Sequence, residues 1–332
     1  MRFYLILLGL LLAPAGLAAW DEGYDPYGAS TYPAAGEETL FDEPLGVDPM
    51  YSTPSSETSS NGGQHAFIPD DVYVEVLGNM SLKGPHARTR LVNFFASVPL
   101  TNPQRAAWKG WHLDAHLTAR VTWLHTKGND VLDEDALYTM GLNMAVSHAV
   151  GSRGQFQLGF VPQLSTDFDV MSHENFYWGG YAAYSSRVNE RFRYTVGLAF
   201  MPDYYDHYVF PVLNVRWRYS QHWELRVQAS RLSAVWVGGQ RFEWGPFFQW
   251  NSGVWTVRRR GQTRQFRMTN CILGAGMTYN LTPGSSRVLF LADLGCSFYN
   301  TFRVRDKGGD HTLERYRAHP GLYAQIGFRV QF

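Results

Sequence analysis

An all-β chain closed into one antiparallel, up-and-down transmembrane β-barrel of about fourteen strands is the fold class this sequence predicts. Three observations predict it. The N-terminus has the form of an export signal, the chain from about residue 71 to the end alternates with period two, and the final strand ends on an aromatic residue. The 332 residues carry only 17% charged side chains against 15% aromatics, with 11 Trp, 19 Tyr and 21 Phe. A typical soluble protein has about 25% charged residues, so this surface is not built mainly for water. The formal net charge of zero gives no reason to expect nucleic acid as a partner.

The first element is a signal peptide. Met1-Arg2 gives a short positive start, Phe3 to Leu12 an apolar run, and Gly16-Leu17-Ala18 a cleavage triplet after Pro14. A membrane anchor needs about 20 apolar residues, roughly twice this run. Residues 1–19 are therefore expected to be removed on export, with the bacterial outer membrane as the destination.

Residues 20–70 read as an acidic periplasmic linker. Between Trp20 and Phe67 there are nine acids and no Lys or Arg: Asp21, Glu22, Asp25, Glu37, Glu38, Asp42, Glu43, Asp48 and Glu57. The segment is rich in Pro, Gly and Ser and has no period, a composition that does not offset its ordering entropy and is expected to be disordered. From Ile68 onward there are 28 Lys+Arg against 20 Asp+Glu, and only four of the bases are Lys. A −9 segment tethered to a +8 barrel could enter and plug it, or could be a solvated spacer.

Residues 71–332 are the barrel. In Trp111–Trp123, Trp, Leu, Ala, Leu, Ala, Val and Trp occupy one parity, and His112, Asp114, His116, Thr118, Arg120 and Thr122 the other. The same alternation recurs over 191–200, 213–219, 223–228, 271–279, 288–298 and 322–332. Strands are expected at 71–80, 88–99, 110–125, 136–149, 154–164, 175–187, 190–201, 207–219, 222–231, 240–250, 253–260, 264–281, 286–303 and 315–332. Twelve is the alternative count, because 71–80 and 253–260 are the weakest. Most exceed the five or six residues of a soluble strand and suit a tilted membrane crossing of about 9–11. With the last strand running toward the periplasm, five of the six periplasmic connections are tight, 100–109 being the exception. The other side has mostly longer, polar loops, with 232–239 among them.

The C-terminal strand carries the most specific pattern. Gln325-x-Gly327-x-x-Val330-x-Phe332 resembles the terminal assembly signature of bacterial outer-membrane barrels. That resemblance implies that these residues are read by the barrel-assembly machinery. More widely, Phe210-Pro211-Val212-Leu213-Asn214-Val215-Arg216-Trp217-Arg218-Tyr219 with Trp223-Glu224-Leu225 is similar to a strand-turn-strand of an uncharacterised family of outer-membrane β-barrel domains. So are Gly274-Ala275-Gly276-Met277-Thr278-Tyr279 and the later Gly295-Cys296-Ser297-Phe298, with Phe302-Arg303-Val304. The likeness covers 175–332 and implies fold and location, with no assigned activity.

Candidate chemistry lies on the inward parity. Arg120, Arg191, Arg193, Arg216, Arg218, Arg226, Arg317 and Arg329 are expected to face the lumen. They would either make an electropositive channel for small polar or anionic solutes, or pair with Asp114, Glu224, Glu243 and Asp293 to brace a filled barrel. His112, Asp114 and His116 share one lumen face and could hold a metal or form a hydrogen-bonded network; the network is preferred, so no metal and no cofactor is expected. Loop acids at 130–135, 167–174 and 203–207 suit solvent better than a cation, as none has EF-hand spacing. There is no His-x-Ser pair and no Gly-x-Ser-x-Gly, so an enzyme is not expected. A four-residue turn at 282–285 would put Cys271 opposite Cys296 on the lipid face, as two thiols in contact or as a cross-strand disulfide. Two function classes remain: a porin-like channel, and a non-conducting structural or surface-interaction barrel.

Overall fold

The computed structural model describes residues 70–83, 87–101, 107–108, 110–128, 136–169, 171–201, 209–228, 230–238, 241–259, 261–282, 287–306 and 312–331. The expected signal peptide, the linker apart from Asp70, and Phe332 of the assembly signature lie outside the described residues. So do the loop acids of 130–135 and 203–207.

Period-two sequence becomes strand throughout. The strands are β1 (Asp71–Ser81), β2 (Arg88–Pro99), β3 (Ala107–Trp108), β4 (Trp111–Lys127), β5 (Leu137–Val150), β6 (Gly154–Thr166), β7 (Phe176–Asn189) and β8 (Phe192–Phe200). They continue with β9 (Val209–Arg218), β10 (Trp223–Gln228), β11 (Arg231–Gly238), β12 (Phe242–Arg259), β13 (Gln262–Asn280), β14 (Arg287–Arg305), β15 (Thr312–Ala318) and β16 (Gly321–Gln331). Each pairs antiparallel with its neighbours, and β1 pairs with β16, so the sheet closes on itself. β3 is a spur on β4, and β15 and β16 are two collinear halves running beside β14. Sixteen segments thus make a wall of fourteen strands.

The strand count agrees with expectation, but two placements do not. Asn251-Ser252, expected to be a turn between two strands, lies inside β12, where Asn251 pairs with Asn270, Ser252 with Thr269 and Gly253 with Met268. Of residues 232–239, expected to be a loop, 232–238 form most of β11, paired on one side to β10 and on the other to β12, and Gly239 lies outside the described residues. Small polar residues resemble a turn locally. Here continuous pairing with β13 outweighs that preference.

The outside is a belt of exposed apolar side chains, including Leu117, Trp123, Phe160, Leu198, Trp217, Leu273, Leu294 and Leu322. Trp223, Trp236 and Trp244 stand in one row across three strands. The barrel has a near mouth, where β1 begins and β16 ends, and a far mouth at the opposite end. Its wall is uneven in height. β10 has 6 residues and β11 has 8, beside 10 in β9 and 18 in β12. The β9–β10 ladder covers only Val215–Arg218, and the exposed apolar face of β9 continues past the hairpin tip through Leu213, Pro211 and Val209.

Inside, the two halves differ. The near half is polar. The far half holds two apolar clusters, with Leu77, Leu91, Trp255, Phe266 and Phe302 in one and Val161, Tyr177, Phe210, Val212 and Val254 in the other.

Candidate functional site: a stoppered lumen over a charged chamber

The stopper is the far half of the β12–β13 hairpin. From Ser252 to Val257 every residue of β12 is buried, and so is every residue of β13 from Gln265 to Met268. Both faces of these segments therefore meet protein. Val254 packs among residues of β5 to β9, while Trp255 and Val257 pack with β1, β2, β4, β5 and β13 to β15. Only a hairpin lying within the lumen can touch both sets.

Specific bonds pin it there. The Trp255 indole Nε1–H donates to Thr139 Oγ1 at 3.0 Å, and Thr256 Oγ1 donates to the Glu174 carbonyl at 2.8 Å. The Tyr177 hydroxyl lies 3.0 Å from Thr256 Oγ1, and Thr256 bridges to Thr166 of β6. At the tip the Arg258 amide donates to Asp167 Oδ2 at 2.6 Å. Asp167 also accepts the Asp169 amide, so this member of the loop acid cluster fixes the hairpin. Gly253 lies against the Trp255 indole, and a Cβ there would run into the ring.

Below the stopper lies a charged chamber. Glu224 of β10, 1% exposed in its side chain, is met by Arg216 Nε at 2.9 Å, Arg226 Nε at 2.5 Å and Arg218 Nε at 3.7 Å. Arg226 also reaches Glu243 at 3.1 Å. Arg329 lies 3.1 Å from Asp71. A polar cavity of about 170 Å³ sits among Tyr73, Arg226, Arg231, Glu243, Asp293 and Arg329. Arg231 donates to both Asp293 oxygens, at 2.7 and 3.2 Å, with its guanidinium 3.9 Å over the Phe247 ring. A Cβ on Gly276 would fall onto that ion pair, which is why the wall carries glycine there.

The expected site residues distribute as follows. Arg120 is buried and donates to the Tyr73 hydroxyl at 3.3 Å. Asp114 and His116 are buried, and His112 is half-buried on the same face. His116 stands between two carboxylates, with Nε2 3.0 Å from Asp114 and Nδ1 3.1 Å from Asp70. Among the described residues no group of three or more His, Cys, Asp or Glu could hold a metal ion. Arg193, Arg216 and Arg226 align with Arg187 in one row across β7 to β10. Two expectations need correction. Arg191 stands exposed in the β7–β8 turn, its amide held by Asn189 Oδ1, rather than in the lumen. Arg317 lies on the exposed face of β15, opposite the inward Tyr316, because the break at His319-Pro320 turns the parity over.

Of the signature residues, Gln325 receives the Tyr323 hydroxyl at 2.6 Å, Gly327 is buried against Tyr73, and Val330 donates its amide to the Asp70 carbonyl, continuing the β1–β16 ladder at the near mouth. The cysteines are both free, and they are not opposite each other. Cys296 pairs with Leu273, and Cys271 with Tyr299. The hairpin closes with the Leu281 amide on the Val288 carbonyl, a wider turn than expected, and the register shifts again beside Cys271. Sequence reasoning missed Arg231, because it fell at a presumed strand end. Its distance from Asp293 along the chain leaves no local signal.

Residues 115–331 match the family described as Domain of unknown function (DUF6268). No curated protein matches the chain. Among solved structures, a deltaS2 mutant of the TodX monoaromatic hydrocarbon channel is similar at 10% identity and a TM-score of 0.40, over 82% of this chain and 93% of that one. The P. putida toluene transporter TodX is similar at 9% identity and a TM-score of 0.36, over 79% and 89%.

Proposed function

The chain belongs to the DUF6268 family, and from its own geometry we propose that it is an outer-membrane barrel working as a stoppered channel. The single observation behind this is the β12–β13 hairpin buried on both faces across the lumen. A fourteen-strand wall without a stopper would leave an interior between the filled eight-strand and the water-filled sixteen-strand cases. The near mouth faces the periplasm in this reading, the apolar belt contacts outer-membrane lipid, and the barrel-assembly machinery reads the C-terminal strand after export.

The solute is small and polar. The chamber below the stopper offers both signs of charge and several amides rather than a bare positive field. The guanidinium groups of Arg216, Arg226, Arg231 and Arg329 each lie on a carboxylate, so they brace the wall more than they select anions. His116 is engaged by carboxylates at both ring nitrogens, which suits a structural role better than proton transfer. That supports transport over catalysis.

A planar-bilayer recording tests the reading. The unaltered chain is expected to show no steady conductance, and a Trp255→Ser/Phe266→Ser variant is expected to show discrete openings. Steady conductance from the unaltered chain would make it an open porin instead. Silence from both would favour the second reading, a non-conducting structural barrel, for which the ion-paired near half already speaks.

A further inference from the structure

The near mouth is electrically lopsided. On one arc, Arg187, Arg193, Arg216 and Arg226 stand abreast on adjacent strands, with Arg218 one step nearer the opening. Glu224 meets Arg216 and Arg218, and Glu243 meets Arg226. All five arginines are half-buried rather than sealed. Around the rim of the same arc Arg153, Arg191 and Arg241 are exposed, with Glu190 the exposed acid of the β7–β8 turn. Across the mouth acids and bases are nearly even. Asp70, Asp71, Glu75 and Asp114 are buried on β1 and β4 or just before them, against Arg120, Arg329, His116 and Arg287, the last at the near-mouth start of β14.

The chain enters the barrel on this second arc, at Asp70. The residues before it, 20–67, hold nine carboxylates and no Lys or Arg. We propose that this acidic segment docks on the arginine arc at the near mouth of its own barrel. Attraction on the far arc is not opposed by the nearly even charge at the point of attachment. The reach is sufficient: Ala35 precedes Asp70 by 35 residues, and a random coil of that length spans about 30 Å on average. Strands about 4.8 Å apart give fourteen of them a barrel about 25–30 Å wide. Tethering makes the contact intramolecular at roughly millimolar effective concentration, so a weak ionic contact still fills the arc. The inference does not depend on whether any solute passes.

The test is double electron–electron resonance on the full chain in detergent micelles. Both native cysteines are first replaced, Cys271→Ala and Cys296→Ala, and spin labels are placed at Ala35→Cys and Glu190→Cys. At about 20 mM salt, where screening is weak, the distance distribution should be at most half as wide as at about 500 mM, where exposed charges more than about 4 Å apart are largely screened. Converting the nine acids to their amides, or Arg153, Arg191 and Arg241 to Gln, should give the broad distribution already at low salt. Arg303→Gln and Arg315→Gln, which lie toward the far mouth, should leave it narrow. A distribution equally broad at both salts would make the segment a spacer and overturn the proposal. A narrow one indifferent to salt and amidation would overturn it as well.

Discussion

Over Phe242–Trp250 strand β12 changes environment at nearly every step, with Glu243, Gly245 and Phe247 buried and Trp244 and Pro246 exposed. Over Ser252–Val257 the same strand is buried at every step. The ladder to β13 runs through both stretches without a break. Alternation therefore reports two different surroundings rather than strand geometry itself. Where protein covers both faces, Val254 and Trp255 are apolar in succession, as expected of a strand with no wet side. One hairpin thus serves as wall below and as plug above.

The strongest way to break this comparison is Trp255→Ala. Removing a fully buried aromatic should cost about 3–5 kcal/mol. In urea titrations of micellar protein the loss should appear as early melting of the far half, with the near half retained. Leu273→Arg acts on the wall half instead. Leu273 is 59% exposed on the outer face, and an arginine near the bilayer midplane should cost about 2–4 kcal/mol. Refolding into lipid vesicles should show that cost, and a neutral result would mean that water, not hydrocarbon, meets this face.

Gly276→Ala sharpens the contrast within the near half. Its methyl group would displace the Arg231–Asp293 pair, an overpacking cost of about 1–3 kcal/mol. In an Arg231→Gln/Asp293→Ala background, where the displaced pair is already absent, Gly276→Ala should cost less in the same titration. The smallest effect is expected at Cys296→Ser, about 0.5 kcal/mol or less for an outward side chain. Non-reducing mass analysis after alkylation should find both thiols free, since Leu273 and not Cys271 stands opposite Cys296.

Much of the wall was legible because lipid-like and water-like surroundings impose period two on residues such as Trp111–Trp123. The stopper was not. Asn251-Ser252-Gly253 has turn composition, and only the facing Met268-Thr269-Asn270 shows that the strand continues. β11 was hidden for a related reason. Val235 and Val237 are apolar on the inward parity, and Gly238-Gly239 follows, so the polar face that marks alternation elsewhere is missing from the second half of β11 although the strand borders the charged chamber. Pairwise placement of arginines was visible as parity, but their partners were not. Glu224 gathers three guanidinium groups from two adjacent strands, and Asp293 takes Arg231 from a strand three places away around the wall. The exposed position of Arg317 depends on a break at Pro320 whose effect on parity no local rule gives.

The β10–β11 hairpin, shorter than the strands on either side, has a consequence for whatever surrounds the barrel. A bilayer of uniform thickness cannot match a perimeter whose height varies with azimuth. In the outer-membrane reading proposed above it would thin beside this hairpin, or the cylinder would lean toward that side, at a cost of fractions of a kcal/mol for each Å of mismatch. Either adjustment gives the lipid annulus a preferred compass direction, so that two such cylinders lower their shared deformation by turning their low sides toward each other.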